Sequence, residues 1–158
     1  VYYAGLHLAG TTGEAAYDLV AYSPPTDLLG ERLFSPLAFP DWELSRAPLA
    51  EAEQAIARAG KAHLIPKGLD GLTDAARTWL GEAEEVIAQT RARVFALSVM
   101  FAQNLAAACL ARIIRRRHPD ALILLGGPNC DAGMERGMAA LIPQADHIFV
   151  GESEATFA

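Results

Sequence analysis

"VFALSVMFAQNLAAACLARIIRRRHPDALILLGG", residues 94–127, decides the fold. Its first seven residues form an apolar run of the length of a buried strand. Residues 103–119 then carry apolar side chains at helical spacing until Pro119 stops them. "ALILLGG" (121–127) is a second apolar run, and it ends in two glycines. The alternation continues, with "AGMERGMAALIPQ" (132–144) reading as a helix stopped by Pro143 and "HIFVGE" (147–152) as a third strand. Two successive strand–helix–strand units of this length predict a parallel sheet with right-handed crossovers. The class is therefore α/β, with a βαβαβ core over 92–158.

Residues 1–91 are less regular. "VYYAGLHL" (1–8) reads as a strand, and 13–23 as a helix ended by Pro24-Pro25. "DLLGERLFSPLAFPDWE" (27–43), rich in aromatics and proline, reads as a connection. Residues 49–64 and 72–90 read as amphipathic helices. Segment 9–91 is thus expected as a long, mostly helical insertion between two strands of one sheet.

The chain has 158 residues, 52% hydrophobic and 20% charged, which suits one domain with its own core. A formal net charge of −6 argues against a nucleic-acid partner. The basic run Arg115-Arg116-Arg117-His118 falls at an expected helix end, where cations offset the helix dipole. Cys109 and Cys130 are too few for a disulfide scaffold, a zinc site or an iron–sulfur site. The compartment reads as reducing and cytoplasmic. No apolar run reaches the roughly 18 residues of a membrane span, and no signal peptide is visible, so no membrane partner is expected. Opening on Val1 and ending at "ESEATFA", the chain reads as part of a longer protein.

In an open parallel sheet, ligands sit outside the carboxyl ends of the strands. Here those ends are Ser98–Phe101, Gly126–Asn129 and Gly151-Glu152. Gly126 and Gly127 allow a ligand to approach the backbone, although two glycines also suit a plain tight turn. Ser98 offers a hydroxyl. Gln103 and Asn104 open a helix, so they and its free N–H groups face the same crevice. Ser98 and Gly126 lie 28 residues apart, on consecutive strand ends. Neither G-x-G-x-x-G nor G-x-x-x-x-G-K-[ST] occurs, which disfavours the usual pyrophosphate-bound cofactors.

Ser98-Val99-Met100 followed by Gly126-Gly127 resembles the S-x-L…GG pair of cobalamin-binding Rossmann-like domains, with Met100 in place of leucine. The stretch from Ser98 to Phe157 further resembles the amino-terminal domain of cobalamin-dependent radical SAM enzymes. It is closest to the C-methyltransferases that mature ribosomally made peptides. The matching stretches are Phe101-Ala102-Gln103-Asn104, Gly126-Gly127-Pro128-Asn129-Cys130 and Gly151-Glu152-Ser153-Glu154, with "GERLF" (30–34) as a weaker one.

The resemblance implies a Rossmann-like (flavodoxin-like) parallel sheet over 1–158 holding cobalamin. The cofactor-binding residues it implies are Ser98, Met100, Phe101, Gln103, Asn104, Gly126, Gly127, Pro128, Asn129, Gly151 and Glu152. Ser98 and the glycines would line the nucleotide tail. Gln103 would lie nearest the cobalt, with Met100 and Phe101 walling the corrin. Cobalamin would be base-off and would relay a methyl group from S-adenosylmethionine to a substrate carbon, in a peptide on this resemblance. The [4Fe-4S] cluster and S-adenosylmethionine would belong to a radical SAM domain after residue 158. No C-x-x-x-C-x-x-C motif occurs here, so the chain alone is not expected to be catalytic. Such domains open with a strand and helix ahead of the stretch that 1–8 resembles, so the first strand is expected to be missing.

His7 and Gly10 match the H-x-x-G of His-ligated cobalamin domains, but Gly5 replaces the aspartate that would polarise the imidazole. The reading therefore prefers a strand-end histidine, with no metal ligand in the chain. Cys130 reads as a small space-filling residue, Glu152 and Glu154 as partners of the cofactor tail or of a neighbouring domain, and Trp42 and Trp79 as core or interdomain contacts. Two other classes stay open: a non-catalytic cobalamin sensor or corrinoid carrier, and a flavodoxin-like domain with a structural role.

Overall fold

The computed structural model describes residues 10, 12–131 and 133–151. The strand expected at 1–8, His7, Glu152 and Glu154 lie outside the described residues. Among the described residues the fold is α/β with an open, all-parallel three-stranded sheet, of Rossmann-like type. The chain divides into two compact units, 1–82 and 83–158.

The first unit is helical among its described residues. It holds α1 (Glu14–Ala21), α2 (Leu29–Ala38), α3 (Ala47–Arg58) and the first part of α4 (Gly68–Gln89). Helix α2 corrects the sequence reading, which took 27–43 for a connection. Leu29, Leu33 and Pro36, with Phe34 and Ala38, repeat at helical spacing and are buried. Pro36 is tolerated because only two residues of the helix follow it, so a single intrahelical bond is forgone near an end that frays anyway.

Helix α3 stops at Arg58, six residues before the expected end. Gly60 adopts φ +71, its N–H bonds to Ala57 O at 2.9 Å, and the Lys61 N–H bonds to Ile56 O at 3.0 Å. This is the Schellman closure that glycine makes cheap. Helix α4 begins at Gly68, four residues earlier than expected. The Glu53 carboxylate accepts the Leu69 N–H at 2.9 Å, satisfying a donor that the first helical turn leaves over.

The second unit carries the sheet. β1 (Val94–Ser98), β2 (Leu122–Gly126) and β3 (His147–Ile148) lie in the order β1-β2-β3. Val94 pairs with Leu122 and Ser98 with Gly126, while Leu124 pairs with His147. Crossovers are α5 (Asn104–Arg117) and α6 (Glu135–Leu141). Short apolar runs made β1 and β2 legible, although only β2 is largely buried, while β1 alternates between exposed and half-buried residues. β3 is shorter than expected, and Gly151 turns the chain at φ +76. Helix α6 starts three residues late, behind a 3₁₀ turn at Pro128–Cys130.

The core joins Val99, Leu125, Cys130, Met138 and Ile142 to Ala107, Ala108 and Ala111 of α5. Alanines on that face let α5 approach the sheet closely at close-packed density. At the other end of the sheet, the last turn of α5 supplies Arg115. It donates to the carbonyls of Pro119, Ala121 and Gln144.

Candidate functional site

Of the residues expected to form a site, Ser98 to Asn104 and Gly126 to Asn129 follow the carboxyl ends of two paired strands and Gly151 follows the third, while Glu152 lies outside the described residues. Ser98 and Gly126, 28 residues apart in sequence, are register partners across β1 and β2. The Val99 N–H donates to Gly126 O at 2.7 Å, and the Asn129 N–H donates to Val99 O at 3.2 Å. The turn after β2 is thereby stitched to the turn after β1.

The two glycines have different reasons. Gly127 has φ +100, and a Cβ there would stand 2.6 Å from Val99 O, 2.8 Å from Val99 N and 3.0 Å from Ser98 Oγ. Its missing side chain is claimed by the end of β1, so here the fold itself demands glycine. A Cβ on Gly126 would meet only Phe149 Cβ, at an ordinary 3.7 Å. Of the pair expected to admit a ligand, Gly126 alone has space that the chain does not already use.

Gln103 stands at the N-cap position of α5, without a side-chain capping bond, and Asn104 is the first helical residue. The Met100 N–H donates to Gln103 Oε1 at 3.3 Å, closing the 100–103 turn. Asn129 donates its side-chain amide to Phe101 O at 2.6 Å and to Asn104 Oδ1 at 2.8 Å. The Gly151 N–H donates to Asp131 Oδ1 at 3.2 Å, which ties the third strand end to the second. Asp131 was not anticipated, although an Asp in a turn that accepts a backbone N–H is a recognisable signal.

Large apolar side chains crown this framework. Phe101 is 71% exposed, Met134 53%, Val150 48% and Met100 39%, so every strand-end loop presents at least one. Met134 and Val150 were missed in sequence, where each reads as an ordinary member of a helix or strand. Phe101 also holds φ +47, a left-handed conformation that a bulky residue rarely adopts. These loops present exposed apolar groups at the carboxyl end of the sheet, while Val94 and Leu122 are exposed at the other end.

Cys130 is fully buried within the core cluster, and desolvation, reinforced by the nearby Asp131 charge, raises its thiol pKa. It fills space, as the sequence suggested. Trp79 is buried and meets Phe34 edge-on, whereas Trp42 is about half exposed. Among the described residues, no three His, Cys, Asp or Glu side chains gather as a metal site, and no helix is long and apolar enough to cross a membrane.

The first unit has its own cavity of about 510 Å³, floored by Leu19, Leu29, Ile56 and Leu64 and rimmed by Arg32 and Lys61. It includes none of the strand-end residues.

In comparisons with known proteins, the chain matches no family model, no curated protein and no solved structure.

Proposed function

We propose that the strand-end edge of the second unit is a cobalamin site, and that the chain is the cobalamin-binding domain of a radical SAM C-methyltransferase acting on a peptide. The observation that carries the reading is the exposed apolar crest of Met100, Phe101, Met134 and Val150 beside the register-paired Ser98 and Gly126. A corrin is a broad, largely apolar ring with polar rim amides and a nucleotide tail. The crest offers it flat apolar contact. Ser98, exposed at the end of β1, offers the tail a hydroxyl, and Gly126 offers backbone without a side chain. Gln103 and Asn104 add amides at the head of α5, whose leading N–H groups favour a partial negative charge.

Cobalamin, when bound, supplies a nucleophilic cobalt able to take up and pass on a methyl group. The chain's own part is to bind, orient and screen it. Met100 and Phe101 exclude water from the face they cover, while Ser98 and Gly126 fix the tail. S-adenosylmethionine and the [4Fe-4S] cluster belong, on this reading, to a radical SAM domain downstream.

The test is direct. Purified chain is mixed with hydroxocobalamin, passed through a desalting column, and its visible spectrum recorded. Retained cofactor with a base-off spectrum supports the reading. A histidine-ligated spectrum redirects it to a corrinoid carrier using His7, and no retained cofactor rejects both.

A further inference from the structure

Asn129 belongs to the turn after β2, yet both donors of its side-chain amide are spent on the loop after β1 and the first residue of α5. One bonds Phe101 O at 2.6 Å and the other Asn104 Oδ1 at 2.8 Å. Its own N–H reaches the same loop at Val99 O. The carbonyl it holds belongs to Phe101, which has a left-handed backbone at φ +47 and a side chain that is largely exposed. A bulky residue keeps such a conformation only where its surroundings impose it. Within the loop, the Met100 N–H to Gln103 Oε1 bond closes the turn but leaves the Phe101 carbonyl untouched.

We infer that Asn129 is a positioning residue, which fixes the left-handed turn at Phe101 and so sets the aromatic ring on the ligand-binding edge rather than touching the ligand with its amide donors. The inference rests on the cobalamin reading for the ligand's identity, but its structural half stands without any ligand. An amide with two donors suits this role. Aspartate has the same shape and no donor, and its charge would repel the Phe101 carbonyl. Asn129→Asp is therefore the informative substitution, with Asn129→Ala as a second variant should the charge prevent folding.

Two measurements separate the possibilities. Hydrogen exchange of the ligand-free chain reads the loop alone. In the variant, the amides of 100–104 exchange about 10-fold faster while those of 122–126 keep the wild-type rate. Unchanged exchange at 100–104 overturns the inference, as does a rise spread evenly over both segments.

Hydroxocobalamin affinity is then measured for Asn129→Ala, Phe101→Ala and the double variant. If Asn129 acts through Phe101, the double variant binds no more weakly than Phe101→Ala alone. Losses that multiply overturn the inference in favour of direct contact. If the variant shows the exchange difference yet the wild-type chain binds no hydroxocobalamin, the cobalamin reading is rejected and the positioning role stands.

Discussion

Arg115 and Asp146 meet at 2.7 Å at the amino-terminal end of the sheet, and the same Asp146 oxygen accepts the Ile123 N–H at 2.8 Å. One carboxylate thus joins α5, β2 and the approach to β3. The backbone hydrogen bond from Ile123, and after it the one from Arg115, holds the Asp146 carboxyl below its ordinary pKa of 3.8. A depressed folded pKa means stabilisation that is full above the ordinary value and lost as pH falls through the folded one. Acid titration of the melting temperature from pH 5 to pH 2 should fall more steeply for wild type than for Asp146→Asn. At pH 7, Asp146→Ala should lower Tm by about 5 °C and Asp146→Asn by less, since Asn can still accept from Ile123.

Gly127→Ala and Gly126→Ala should part company. The first puts a methyl against the Val99 backbone at a positive φ, and should cost at least about 3 kcal/mol by urea unfolding. The second meets only Phe149 Cβ, and should leave stability within about 1 kcal/mol while weakening hydroxocobalamin binding. Equal stabilities for the two variants would contradict the account of this turn.

Leu125 is fully buried between β1 and β3 and packs in the cluster of Val99, Ala111 and Met138. Leu125→Ala should cost about 2–5 kcal/mol, because the alanine-rich face of α5 has no long side chain to fill the space. Chemical denaturation followed by far-UV circular dichroism measures it.

Both thiols should be inert in the native chain. Burial pushes Cys109 up to about 11 and raises Cys130 as well. Reaction with dithionitrobenzoate at pH 8 should be slow until the chain is denatured, and then reveal both thiols. Fast labelling of one thiol in the native chain would place that cysteine outside the core.

The parallel core was legible because its signals are local. Two unbroken apolar runs, Pro119 after α5 and Pro143 after α6 all speak for themselves in sequence. Helix α2 was not, since Gly30 and Pro36 within it and Pro40 just beyond it outweigh the spacing of Leu29, Leu33 and Phe34. The start of α4 was hidden for another reason: the group that satisfies Leu69 comes from Glu53, on a different helix. At the site, the pairing of Ser98 with Gly126 could be read from spacing. The link from Asn129 to Phe101 could not, because it joins positions 28 apart through a backbone conformation that no residue type announces.

The two glycines after β2 look interchangeable in sequence and are not. Gly127 answers to the backbone of its neighbouring strand, whereas among the described residues a Cβ at Gly126 would meet only Phe149, at an ordinary distance. Selection should therefore treat them separately. If the proposed site is right, a descendant that had abandoned its ligand would be free to drift at position 126 but not at 127, so the first glycine would record use and the second the fold.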